Sequence, residues 1–258
     1  MKTIKEIYDY REMIISLVHR DLRGRYKASV LGFLWTFLNP LLQLAVYNIV
    51  FATILKNGID KYYLFLFVAL IPWIFFSTSL TGGSNCIIGQ KDMVSKIYFP
   101  REVIPIAHVT GCFVNMILCF IVIFIIVAIS GVAINIVALC YLPIVMLVEY
   151  ILALGAAMIS SAITVYFRDL EHILGIVAMA WQYLTPVMYS MDSVPEKYRT
   201  LFSLNPMTPV ITAYRDILYS SREPHINTLL QAFAFGVIFL AIGCVVFSKL
   251  KRHFAEEL

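Results

Sequence analysis

Long runs without Asp, Glu, Lys or Arg alternate along this chain with short stretches where those residues gather. The runs cover Leu31 to Leu55, Tyr62 to Leu80, Val103 to Ser130, Ile136 to Phe167, Ile173 to Met191 and Ile226 to Ser248, and only Glu149 interrupts one of them. A hydrocarbon core about 30 Å thick needs roughly 20 apolar residues in a helix to cross it. Backbone groups have no water to bond there, so each run is expected to be helical. The pattern predicts an all-α integral membrane protein with six transmembrane helices, about 31–55, 62–80, 103–130, 136–167, 173–191 and 226–248. Residues 1–30 then form a cytoplasmic segment, 31–248 the membrane domain and 249–258 a cytoplasmic tail. No small-residue cleavage site follows the first run, which reads as a retained span with no visible signal peptide.

The stretches between the spans carry patterns of their own. Ile4, Ile7, Ile14, Ile15, Val18 and Leu22 recur near helical spacing while Lys5, Glu6, Asp9, Glu12, Arg20 and Arg23 take the other faces. That pattern predicts an N-terminal amphipathic helix lying in the membrane interface, with a simple solvated helix as the alternative. The second loop, Thr81 to Arg101, holds Ile87, Ile88, Met93, Val94, Ile97 and Tyr98 among Gln90, Lys91, Asp92 and Lys96. Exposed apolar residues on a short helix suit a docking surface, and a helix folded back on the bundle is the alternative. In the long fifth loop, Val210, Ile211, Tyr214, Ile217 and Leu218 make a stripe too short to span. Two short external re-entrant helices are expected, near 196–204 and 209–220.

Charge placement sets the expected orientation. With spans alternating sides, 14 of the 20 Lys and Arg fall on the side of both termini and 6 on the other. By the positive-inside rule both termini are cytoplasmic. The overall composition agrees, being 60% hydrophobic and only 14% charged, with a mean hydropathy of +0.83. A water-soluble domain averages about 25% charged residues, so most soluble enzymes are excluded, and a net charge of +4 spread over membrane loops is a poor basis for nucleic-acid binding.

Candidate chemistry is sparse. No GxxxxGK[ST], GxSxG, HExxH or DxDxDG motif occurs, and the five His lack ligand spacing. No catalytic residue and no metal site are expected. Cys86, Cys112, Cys119, Cys140 and Cys244 read as polarizable packing residues. Glu149 and His108 lie inside spans, where a charge costs at least roughly 2.5 kcal/mol. They are either members of a proton path or groups hydrogen-bonded in the packed bundle. Asp192, Glu196 and Asp216 read as solvated charges of the outer loop. Pro40, Pro72, Pro105, Pro143 and Pro186 interrupt helical ladders, and Ala153, Ala157 and Ser161 form a small-residue face for close packing. Most aromatic residues suit a lipid-facing belt or the core; Trp35, Phe37, Tyr47, Phe51, Trp73, Phe76, Tyr183 and Tyr189 are candidate linings for a conduit, since aromatic faces contact sugar rings without strong directional bonds.

The string Arg20-Asp21-Leu22-Arg23-Gly24-Arg25-Tyr26-Lys27-Ala28-Ser29-Val30-Leu31-Gly32-Phe33-Leu34-Trp35, followed by Asn39-Pro40-Leu41, resembles the N-terminal signature of polysaccharide-exporting ABC type-2 permeases. Lys96-Ile97-Tyr98-Phe99-Pro100-Arg101-Glu102-Val103-Ile104-Pro105 and Tyr166-Phe167-Arg168-Asp169-Leu170 extend the resemblance along the chain. Such permeases are the membrane subunits of O-antigen and teichoic-acid exporters in the bacterial cytoplasmic membrane. The resemblance implies a homodimer docked to two copies of a separate P-loop ATPase that holds the ATP and Mg, with no cofactor in this chain. It implies export of an undecaprenyl-diphosphate-linked glycan through a conduit formed largely by the first, second and fifth spans. It also implies a coupling helix at about 84–98, carrying Ile87, Ile88, Gln90, Lys91, Asp92, Met93, Val94, Ile97 and Tyr98. Arg20, Arg23, Arg25, Tyr26 and Lys27 would then form a gate near the lipid pyrophosphate, where guanidinium forks suit phosphate oxygens. Three other readings remain open: an ABC permease for a drug or small lipid, an ion-coupled transporter or scramblase using Glu149 and His108, and a membrane enzyme of glycan assembly.

Overall fold

The structure, a computed structural model, describes residues 2–26, 31–56 and 58–257. Two helices open the chain, α1 (Lys2–Asp9) and α2 (Arg11–Tyr26). The first span begins as a 3-10 turn at Gly32–Leu34, continues as α3 (Trp35–Asn48) and ends in a wider π-helical turn over Ile49–Ile54. Then come α4 (Tyr62–Asn85), the short α5 (Lys91–Lys96) and α6 (Val103–Ile129). The expected fourth span is divided into α7 (Ile136–Leu139) and α8 (Leu142–Thr164). After α9 (Leu170–Leu184) follow α10 (Glu196–Ser203), α11 (Met207–Leu218), α12 (Ile226–Leu250) and α13 (Phe254–Glu257).

Among the described residues, five segments are long and apolar enough to cross a membrane: Gly32–Ile54, Tyr62–Asn85, Val103–Ile129, Ile136–Thr164 and Ile226–His253. The fifth expected span, 173–191, is different. It is helical over only the 15 residues of α9, and at 1.5 Å per residue reaches about 22 Å. Pro186 explains the stop, because the residue before a proline avoids the helical region, and Thr185 is extended at φ −107° and ψ 136°. Two further prolines prove harmless to their helices. Pro143 lies in the first turn of α8 and Pro105 in that of α6, where no intrahelical bond is lost. Pro40 and Pro72 do lie inside helices. Asn135 starts α7 by accepting bonds from the Val137 and Ala138 amides at 3.0 and 3.3 Å.

The central element is α4, which packs against α3, α6, α8, α9 and α11 and is buried along most of its length. Its contact with α8 is close: Gly83 lies against Ala157, and the Ser160 hydroxyl donates to the Leu80 carbonyl at 3.2 Å. The small face Ala153, Ala157 and Ser161 is wholly buried. The opposite side of α8 meets α12 through glycines, since a Cβ on Gly155 would lie 2.4 Å from the Phe239 carbonyl carbon and one on Gly243 would lie 2.7 Å from the Gly155 carbonyl oxygen. Two apolar clusters result. The larger fills the bundle around α4, α6, α8 and α11, and the smaller gathers α2, α5 and the ends of α6, α8 and α12 at the end that holds both termini.

Candidate functional site

At the end holding the termini, the expected coupling segment is folded but only partly exposed. A 3-10 turn at Ile88–Gln90 leads into α5. Ile87 and Val94, expected on the exposed apolar face, are buried in the smaller cluster with Leu17, Val18 and Phe99. The six-residue helix has too little surface of its own to be stable, so these two side chains anchor it to the bundle. Ile88, Gln90 and Met93 are half-buried. The free face consists of Lys91, Asp92, Lys96, Ile97 and Tyr98, with Ile97 58% and Tyr98 95% exposed. Asp92 and Lys96 form an ion pair at 3.5 Å across one helical turn.

The N-terminal segment departs from a continuous interfacial helix. It breaks at Tyr10, and α2 packs along α6 with Leu17 and Val18 buried. The predicted stripe omits Leu17 and includes Ile15, which is exposed, because α2 buries a face set by its neighbour α6. Arg20 and Arg23 are exposed and line an open cleft with Ser16, His19 and Gly24. Arg20 also lies 3.5 Å from Asp21. The side chains of Arg25 and Tyr26 and the whole of Lys27 lie outside the described residues, so of the five expected gate residues only the side chains of Arg20 and Arg23 are described.

Within the membrane segment, a groove of about 500 Å³ opens between α3, α4 and α6. Trp35, Asn39, Ile74, Phe75, Thr78 and Asn115 are among its walls, and its described lining includes no Asp, Glu, Lys, Arg or His. The Asn115 Oδ1 is buried without a hydrogen-bond partner. Of the eight candidate conduit aromatics, Trp35 lines this groove. Trp73 and Phe76 are instead core residues of the chain, with the Phe76 ring 5.2 Å from that of Trp181. Phe37 meets Phe33 edge-on at 5.4 Å, and Phe51 packs on Tyr62 at 6.3 Å. Tyr189 donates to the Tyr183 carbonyl at 2.6 Å, and Tyr47 is half-buried. The eight therefore do not form one wall. Aromatic identity marks bulk and polarity, and both core and open positions use it.

The strongest polar constellation was not anticipated from the sequence and sits on α11. Tyr214, fully buried, donates its hydroxyl to Glu149 Oε2 at 2.7 Å, which ties α11 to α8; Glu149 Oε1 has no partner. Arg215 reaches the other way. Its Nη1 donates to the carbonyls of Pro186 and Tyr189 at 2.5 and 3.2 Å, and its Nη2 to that of Val187 at 2.6 Å. The guanidinium stacks over the Phe65 ring at 3.5 Å from its centroid. These bonds satisfy carbonyls freed where α9 ends. Burial pushes the Tyr189 phenol up to about 12, with the positive Arg215 nearby opposing the shift. Asp216, expected to be a solvated charge, is 2% exposed and pairs with Arg222 at 2.6 Å. An adjacent Arg and Asp inside an otherwise apolar stripe was the available signal. His108 lies with its Nε2 3.4 Å from the Thr78 carbonyl oxygen and 3.7 Å from Cys112 Sγ.

The bundle thus defines a multi-pass membrane protein whose polar features are a small anchored helix at one end, an uncharged groove and a short buried helix locked by Glu149 and Arg215. The chain belongs to the ABC-2 type transporter family, whose pattern it matches over residues 12–219. Members of this family are permease subunits rather than catalysts. The chain is 35% identical over 260 residues, covering all of both chains, to the O-antigen export system permease protein RfbA of Myxococcus xanthus. It is 30% identical to a protein of the same name from Klebsiella pneumoniae, over 96% of this chain and 95% of that one. With the polysialic acid transport protein KpsM of Escherichia coli it shares 24% identity over 90% of this chain and 91% of the other.

Proposed function

We propose that this chain is the membrane subunit of an ATP-driven exporter that moves a lipid-linked polysaccharide of the O-antigen type across the bacterial cytoplasmic membrane. The observation that carries the reading is the end-to-end similarity, at 35% identity, to an O-antigen export permease. Two copies of the chain work with two copies of a separate P-loop ATPase, which holds the ATP and Mg. Both termini face the cytoplasm, as the 14 to 6 division of basic residues favours. The exposed side of α5, led by Ile97 and Tyr98, meets the ATPase. Arg20 and Arg23, joined at sequence level by Arg25, Tyr26 and Lys27, attract the pyrophosphate of the lipid carrier. The sugar chain then passes between the copies, beside spans that expose no charge at mid-membrane, and no bond in it is made or broken.

Affinity purification from the native host in mild detergent tests this reading. A P-loop ATPase in roughly equal amount, with a lipid-linked glycan, is the expected result; an active chain free of any ATPase overturns it. Within the complex, Tyr98→Ala combined with Ile97→Asp is expected to lower ATPase retention at least about tenfold, the effect of losing about 1.4 kcal/mol or more of binding. Undiminished retention would remove α5 from the interface.

The buried Glu149 favours one second reading, an ion-coupled transporter. The two separate cleanly at Glu149→Gln, whose amide oxygen keeps the bond from Tyr214 while removing the exchangeable proton. Export is expected to stay within about twofold of wild type, well under the 1.4 kcal/mol that a tenfold change represents. Loss of export with normal folding would favour ion coupling.

A further inference from the structure

The tail after the last span, expected to be a simple cytoplasmic end, turns back on the bundle. A 3-10 turn at Lys251–His253 leads into α13, which lies against α5. Phe254 is fully buried, 5.5 Å from the Phe247 ring in an edge-on contact and 6.4 Å from that of Tyr166. It belongs to the same apolar cluster as Ile87 and Val94, the two anchors of the coupling helix. Polar bonds fasten the turn. Lys251 Nζ pairs with Glu102 Oε1 at 2.5 Å, the Arg101 guanidinium donates to the Lys251 carbonyl, and the Tyr166 hydroxyl donates to the Leu250 carbonyl at 2.9 Å. Arg101 also stands over the Phe254 ring, 5.8 Å from its centroid. Glu102 is almost wholly buried, and Lys251 is the ion-pair partner of one of its oxygens.

We propose that residues 251–257 are a positioning hook that holds α5 in fixed register with the spans, so that movement of the docked ATPase reaches them instead of rocking the helix alone. The inference rests on the reading of α5 as the ATPase contact. A six-residue helix attached by two apolar side chains is a poor lever unless its seat is stiff. The hook supplies that stiffness by joining four elements: the end of α12, the start of α6 through Arg101 and Glu102, the end of α8 through Tyr166, and α5 itself. It also gives a physical role to three residues within the motifs that carried the family resemblance. Arg101, Glu102 and Tyr166 all grip the hook, and Arg101 also lines the open cleft beside Ile97 and Tyr98.

Phe254→Ala in the full complex with its ATPase tests the proposal. The complex is expected to assemble and hydrolyse ATP while polysaccharide exported per ATP falls about tenfold, and amide exchange across 87–99 quickens by a similar factor with the membrane spans unchanged. Phe254→Leu, which keeps apolar bulk, restores both. If Phe254→Ala blocks assembly, Lys251→Ala replaces it, with smaller losses expected in the same two readouts. Unchanged exchange and an unchanged export-to-ATP ratio overturn the hook. Failure of the underlying reading looks different: the Ile97 and Tyr98 variants then retain the ATPase fully, whatever Phe254 does.

Discussion

Gly155→Val is expected to prevent the last span from seating against the fourth. The new Cβ would lie 2.4 Å from the Phe239 carbonyl carbon and 2.5 Å from the Leu240 nitrogen. Both are backbone atoms, so no rotamer change relieves the clash and one helix must move away. Overpacking a fitted core costs up to roughly 3 kcal/mol, and more where the backbone resists. A fall of about 10 °C in the unfolding midpoint of detergent-purified protein follows, taking a few degrees per kcal/mol. Gly175→Ala is the control. Nothing lies within 4 Å of its added methyl, and that helix position should gain slightly from alanine. A midpoint unchanged by Gly155→Val would mean that α8 and α12 do not touch backbone to backbone.

The second large effect is expected at Arg215. Truncation to alanine strips the carbonyls of Pro186, Val187 and Tyr189 of their charged donor and removes the cation stacked on Phe65. Each buried acceptor left unpaired costs about 1–3 kcal/mol, so a total of roughly 3 kcal/mol or more is expected. The consequence is local before it is global. Cleavage by added protease should appear between 185 and 206 in purified protein, together with a lower unfolding midpoint. Arg215→Lys is expected to recover only part, because an ammonium cannot reproduce the fork that reaches the carbonyls of Phe65, Pro186, Val187 and Tyr189 and the Phe65 ring at once. Wild-type protease resistance in Arg215→Ala would show that the turn after α9 holds itself.

The spans were legible because uncharged runs of the right length have few alternatives, and four of the six expected spans match their helices closely at both ends. The fifth was not. Uncharged residues continue past Leu184 as far as Met191, so a run defined by the absence of charge carries through the turn even though Pro186 marks an interruption. Ile87 and Val94 illustrate a second limit: an apolar residue in a loop looks the same whether it waits for a partner or is already buried. Nothing in the sequence marks Phe254 as buried, because the ten residues of the tail are too few to show a hydrophobic period. By sequence Arg215 is one of the basic residues on the side away from the termini, and Asp216 a solvated charge of the outer loop. Their burial depends on where α9 stops, which no local pattern around them encodes.

The glycine contact between α8 and α12, with α4 packed on the other side of α8, makes these three helices a stiff plate. The remaining membrane helices are attached to that plate unequally. Within the chain, α3 buries only Thr36, Pro40 and Leu44, and α9 only Ala178. Elements with few buried contacts open at the low end of the free-energy scale. α3 and α9 are therefore expected to move first, against a plate of α4, α8 and α12 that keeps its shape.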